Sequence, residues 1–124
     1  AEPRRVRDEQ VRFAEFVDRL HSESEAILKL SAGQREMRII LHLVTSHFDG
    51  NLVTSSSLAA ASGMSYGTAL RAINELTRRG MIVRRERTAS GRSHSLHPSS
   101  RLLKRWRQFA FRGEELMKSA LRRE

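Results

Sequence analysis

Residues 58–76 read LAAASGMSYGTALRAINEL, and the spacing within this stretch points to one kind of fold. Leu58, Met64, Ala69, Ile73 and Leu76 fall at the spacing that buries one face of two short helices joined by a tight turn. Ala59 is small where the second helix must cross close to the first. Gly63 stands where the turn calls for a positive φ, which glycine adopts at little steric cost. These are the requirements of a helix-turn-helix.

That assignment leaves Tyr66, Gly67, Leu70, Arg71 and Asn74 on the opposite face, near the start of the second helix. The N-terminal part of a recognition helix is the part that enters the DNA major groove. Arg71 has the donor fork for guanine, Asn74 suits adenine or a phosphate, and Leu70 can meet a thymine methyl. Gly67 lets the backbone come close. Ser65 has the N-cap position, and Ser65 and Thr68 offer hydroxyls to phosphates near the helix start. An ordinary helical hairpin with a polar outer face would carry the same short pattern, so the continuation has to decide.

Downstream, Arg78-Arg79-Gly80 ends the helix with cations and a C′ glycine. Met81 to Glu86 is rich in β-formers, Thr88-Ala89-Ser90-Gly91 is a turn, Arg92 to Leu96 returns, and Pro98 stops the strand. A β-hairpin with a cationic tip is the continuation expected of a winged helix. Arg84, Arg85, Arg87 and Arg92 flank that tip, where an arginine can enter the narrow minor groove. Protection of an exposed hairpin edge by charge is the other reading of these arginines.

Upstream, Leu52 and Val53 suggest a very short strand, and the serines and threonine at 54–57 cap a third helix running to Ser62. A second helix starts where Ser31 and Gln34 have capping-box spacing. It carries a stripe of Met37, Ile40, Leu41, Val44 and Phe48, and Asp49-Gly50-Asn51 breaks it. Residues 6–30 read as a long first helix with Val6, Phe13, Phe16, Val17, Leu20 and Ile27 on one face. Ser99 or Ser100 caps a long last helix carrying Leu102, Leu103, Trp106, Phe109, Ala110, Leu116, Met117, Ala120 and Leu121.

The order helix, helix, short strand, helix, helix, hairpin, helix resembles the MarR family of bacterial regulators. The likeness is sharpest over 58–85, in LAxxSGMSxGTALRxIxxLxRRGMIVRR. It implies a mainly α fold with a small β-hairpin wing: a winged helix-turn-helix with long N- and C-terminal dimerisation helices. It also implies a homodimer whose recognition helices read a palindrome. By position, Ser65, Tyr66, Gly67, Leu70, Arg71 and Asn74 would face DNA, and Arg92 would be the wing arginine. The family wing usually carries an acidic-Arg-Arg tip, whereas this one reads Ser90-Gly91-Arg92-Ser93.

The expected organisation is one winged-helix domain over residues 1–124, with dimerisation helices at 1–30 and 99–124 and a DNA-binding lobe at 31–98. Residues 6–30 would span about 35 Å as a helix. A domain this small cannot cover two such helices along their full apolar stripes, so burial against a second copy is the economical solution. Phe13, Phe16, Val17, Leu20, Trp106, Phe109, Leu116 and Met117 are the expected interface residues, with Phe111 a further anchor. Packing of the first helix on the last within one chain is the competing use of the same side chains.

Composition bounds the function. The formal net charge of +9 is uneven: residues 1–30 carry net −1, 31–65 net 0, 66–97 net +5 and 98–124 net +5. A cationic half favours a polyanion through counterion release, with a merely solvated basic surface as the other reading. With the helix-turn-helix, the expected polyanion is double-stranded DNA. There are no cysteines, which excludes disulfides and zinc–thiolate sites. His94 and His97 point to opposite faces of a strand, and His42 and His47 lack a carboxylate at ligand spacing, so no metal or cofactor is expected. No Ser/His/Asp set or phosphate loop is recognisable, and Glu114-Glu115 reads as a solvated face, so an enzyme is not expected. No apolar run approaches a membrane span, and no secretory signal is evident, which points to the cytoplasm. The resemblance leaves room for a small-molecule effector between the dimer helices and the DNA-binding lobe, though no residue names one. Two other readings stay open: a winged helix used for protein–protein contact, and the DNA-binding module of a larger ligand-sensing regulator. The first would bind DNA weakly and without salt dependence; gene context would reveal the second.

Overall fold

In a computed structural model, residues 3–31, 33–87 and 93–122 are described. They form α1 (Arg4–Leu28), α2 (Gln34–Asp49), α3 (Ser55–Ser62), α4 (Tyr66–Arg78), β1 (Ile82–Glu86), β2 (His94–Pro98) and α5 (Ser100–Leu121). The chain divides into two compact units, one of Ala1–Lys29 with Arg105–Glu124 and one of Leu30–Lys104. No described helix is long and apolar enough to cross a membrane.

The second unit is built around α2, α3, α4 and the hairpin. Its core contains Ile39, Ile40, Leu43 and Val44 of α2, Leu58 and Ala59 of α3, Ala69, Ile73 and Leu76 of α4, with Met81, Ile82, Leu96 and Leu102. The strands pair antiparallel from Ile82↔Pro98 to Glu86↔His94, so Pro98 is the last strand residue and not a residue beyond it. Leu52 and Val53 form no strand. What remains of the expected third strand is one hydrogen bond, Leu96 N–H to the Val53 carbonyl at 2.8 Å.

Two expectations for α2 need correction. The helix begins at Gln34, but its N-cap is Gly33 and no side chain caps it. Ser31 binds Glu36 instead, its N–H and hydroxyl both donating to the carboxylate, at 2.9 and 3.1 Å. The buried stripe is also rotated. Glu36, Ile39, Ile40, Leu43 and Val44 face inward, while Leu41 and Phe48 are exposed.

In the first unit α1 and α5 run as long helices. Ser99 caps α5, its hydroxyl accepting the Leu102 N–H at 3.0 Å. Leu20 Cδ1 lies 3.5 Å from where a Cβ on Gly113 would sit, and Arg112 pairs with Glu23 at 3.2 Å. Of the residues expected at a dimer interface, Phe109 and Leu116 are already buried within the single chain. Trp106 stacks edge-on against Phe109 at 5.6 Å and, like Phe16, Val17 and Leu20, is half-buried. Phe13 and Met117 are exposed, and with them Val11, Phe111 and Leu121.

Candidate nucleic-acid interface

The helix-turn-helix is assembled by local chemistry. Thr54 caps α3 in a reciprocal capping box with Ser57. Ala59 is 4% exposed at the contact with its neighbours, where a larger side chain would hold the helices apart. Gly63 takes φ 72, the left-handed value the turn requires. Ser65 then caps α4 by accepting the Thr68 N–H. The helix ends in a Schellman motif: Gly80, at φ 78, donates its N–H to Thr77 O at 3.0 Å, and Met81 donates to Leu76 O at 2.9 Å. Leu76 and Met81 are both buried, the apolar contact that accompanies this ending.

With Ala69, Ile73 and Leu76 sealed inside, α4 turns Tyr66, Gly67, Arg71 and Asn74 outward together with the cap Ser65, while Thr68 and Leu70 are half-buried at the edge of that face. Arg71 Nη2 donates to Thr68 Oγ1 at 3.3 Å, and the Ser65 hydroxyl donates to the same oxygen at 2.9 Å. Asn74 is engaged differently from expectation: its side-chain oxygen accepts from Arg84 Nη2. A two-bond contact to adenine needs that oxygen as well as the amide, so Arg84 competes for it. This cross-link between helix and wing pairs residues ten apart, and no local sequence signal announces it.

The charge on α4 is sorted by position. At its C-terminal end Arg78 donates to Glu75, and Arg79 pairs with Glu75 at 3.5 Å and with Glu36 at 2.7 Å. Hydrogen bonding from Arg78 is the main reason the Glu75 carboxyl lies below its ordinary range, against a smaller upward push from burial. Arg71, in the N-terminal half, pairs with no carboxylate among the described residues.

On the hairpin Arg84, Arg85 and Arg87 are exposed. Alternation and register put Arg84 on the same face as Ile82 and Leu96, and Arg85 on the other with Val83, Ser95 and His97. Arg87 bonds Ser93 twice, N–H to carbonyl at 2.8 Å and Nη1 to Oγ at 3.2 Å, fixing the base of the tip. The expected wing arginine, Arg92, lies outside the described residues, as do Thr88, Ala89, Ser90 and Gly91. Burial, then the Arg85 guanidinium and the His47 ring, hold the His97 imidazole below its ordinary value. His42 Nε2 is 3.4 Å from Ser46 Oγ, and no group of three metal-ligating side chains occurs among the described residues.

The helices α2, α3 and α4 packed beside a paired hairpin define a winged helix-turn-helix. The likeness to solved structures makes the fold more specific: it is the MarR-type winged helix. MepR of S. aureus, solved as a mutant bound to an oligodeoxyribonucleotide, matches with a TM-score of 0.79 at 16% identity, over 95% of this chain and 82% of that one. A MarR-like transcriptional regulator from Thermotoga maritima matches at 0.66 with 15% identity, over 98% and 82%. NadR in complex with 4-hydroxyphenylacetate matches at 0.65 with 15% identity, over 96% and 79%. No protein-family model and no curated protein matches the chain.

Proposed function

We propose that the chain is a transcriptional regulator that binds double-stranded DNA as a homodimer, with α4 in the major groove and the hairpin over the adjacent backbone or minor groove. The observation that carries this reading is the outward face of α4. Ser65, Tyr66, Gly67, Arg71 and Asn74 stand exposed on it, in a segment of net charge +5, beside Arg84, Arg85 and Arg87. The DNA-bound state of MepR, which shares the fold, supports it. In this reading residues 31–98 are the DNA-binding lobe, 1–30 and 99–124 are dimerisation helices, and the protein works in the cytoplasm. Arg71 reads a base edge. Arg84, Arg85, Arg87 and Arg92 supply phosphate or minor-groove contacts. A small-molecule effector fits the same picture, since NadR, which shares the fold, is solved in complex with 4-hydroxyphenylacetate.

Selection of bound sites from random duplex DNA, followed by titration across a salt series, tests the reading. An enriched inverted repeat is expected, with binding that weakens steeply as salt rises. Arg71→Ala should cost about 1–3 kcal/mol per half-site and relax preference at one base pair. No enrichment, or weak binding indifferent to salt, would leave protein–protein contact as the better account.

A further inference from the structure

We propose that Thr68 is a positioning residue that aims Arg71 before DNA arrives; this rests on the reading of α4 as the recognition helix. Thr68 Oγ1 sits at the centre of a short relay. The Ser65 hydroxyl donates to it at 2.9 Å while Ser65 Oγ accepts the Thr68 N–H at 3.3 Å. Arg71 Nη2 donates to the same Thr68 oxygen at 3.3 Å. The other terminal nitrogen, Arg71 Nη1, lies 3.9 Å from where a Cβ on Gly67 would be. The guanidinium is therefore folded back over the first turn of α4, across a glycine, and tethered one turn before its own position.

The chemistry of the tether matters. Among the described residues, Arg78 and Arg79 are held by carboxylates. A carboxylate orders a guanidinium but cancels its charge, and a guanine would have to displace it. A hydroxyl orders the same group and leaves the charge whole. Threonine adds stiffness through its branched Cβ, and its half-buried place on the helix limits its rotamers further. Arginine is among the most rotamer-rich side chains, so one already ordered in the free protein loses less freedom on binding. Nothing in the residue types alone marks Thr68 for this role; its spacing from Arg71 only permits it.

The test is a double-mutant cycle on the full chain, using sites selected by the unsubstituted protein and their single-base variants. Thr68→Val keeps the shape and removes the acceptor. It should weaken binding about 2- to 10-fold, the factor for ordering one long side chain. The lost discrimination should fall on the base pair that Arg71→Ala also relaxes. Thr68→Ser should restore it, and thermal unfolding should show Thr68→Val still folded. In an Arg71→Ala background, Thr68→Val should change base preference no further. If Thr68→Val weakens all sequences alike and does so equally with Arg71→Ala present, Thr68 touches phosphate directly and the positioning role is overturned. A neutral Thr68→Val beside an impaired Arg71→Ala overturns it too, and leaves the recognition helix standing. A neutral Arg71→Ala removes both.

Discussion

Gly67 is the second residue of α4, a place where any L residue could sit, since its φ is not in the left-handed region. An added Cβ would meet only Arg71 Nη1, at 3.9 Å, which is ordinary contact. Alanine there should therefore stabilise the free protein, by up to about 1 kcal/mol, because glycine is the weaker helix former. The same methyl group would stand between the helix backbone and the groove. Gly67→Ala should then raise the unfolding midpoint and weaken DNA binding by about 1–3 kcal/mol, the worth of one well-made base contact. Thermal unfolding and DNA titration of the same preparation check both signs. A protein that gained stability and kept full affinity would place the groove elsewhere. Residues of this kind are legible in the sequence: the Gly63 turn and the Thr54 and Ser65 caps depend only on neighbours along the chain. The Arg84–Asn74 contact joins two elements, and no periodicity reaches that far.

Among the elements, α2 is where the hydrophobic pattern misleads. Its buried face includes Glu36, which is 1% exposed. A charged residue on the inner face breaks the hydrophobic stripe and makes the neighbouring run through Leu41 and Phe48 look like the core side. What permits the burial is a set of partners: the Ser31 N–H and hydroxyl, and Arg79 at the end of α4. Arg101 completes the junction by donating to the Arg79 carbonyl at 3.0 Å. The start of α2, the end of α4 and the start of α5 thus meet at one place. Burial alone would raise the Glu36 carboxyl, but the Ser31 and Arg79 bonds together outweigh it and set it below the ordinary value of 4.5. A depressed acid contributes stability that is present above its unfolded value and is lost as pH falls through the folded one. Acid unfolding should therefore have a limb below about pH 4.5 that Glu36→Gln flattens. His97 adds an earlier limb. Its depressed imidazole leaves the unfolded chain binding the extra proton, so stability falls as pH drops below 6.5 and levels off under the folded value. Arg79→Ala at neutral pH strands the Glu36 charge and should cost about 3 kcal/mol, read by denaturant unfolding. A cost near zero would mean that Ser31 alone satisfies the carboxylate.

The whole molecule poses the problem of its two long helices. The five helices and the hairpin are legible from the sequence, though the short strand expected at Leu52 and Val53 does not form. Which apolar side chains a single chain can cover is not legible, because that depends on how α1 and α5 meet. Phe109 and Leu116 are consumed inside. Phe13 at 66% exposed, Met117 at 49% and Leu121 at 76% are left out, and they line a groove of about 370 Å³ with Phe16 and Ala120, rimmed by Glu9 and Arg12. Full burial of a large apolar side chain contributes about 1.5–3 kcal/mol. In a two-fold interface every side chain counts twice. Phe13→Glu with Leu121→Glu should therefore place four charges in the contact and yield monomer at micromolar concentration. Both residues are exposed in the single chain, so helix content by circular dichroism should hold. The consequence for DNA is specific. A dimer spans two half-sites about 10 bp apart, whereas a monomer can occupy only one. Affinity for the full inverted repeat should fall to that for a lone half-site, and the dependence on half-site spacing should vanish, while base preference within the half-site persists. Sedimentation and footprinting on repeats of altered spacing measure this. If the doubly substituted protein still sediments as a dimer, the second copy is held by some other surface. If it is monomeric and still requires correctly spaced half-sites, pairing on DNA does not pass through these helices.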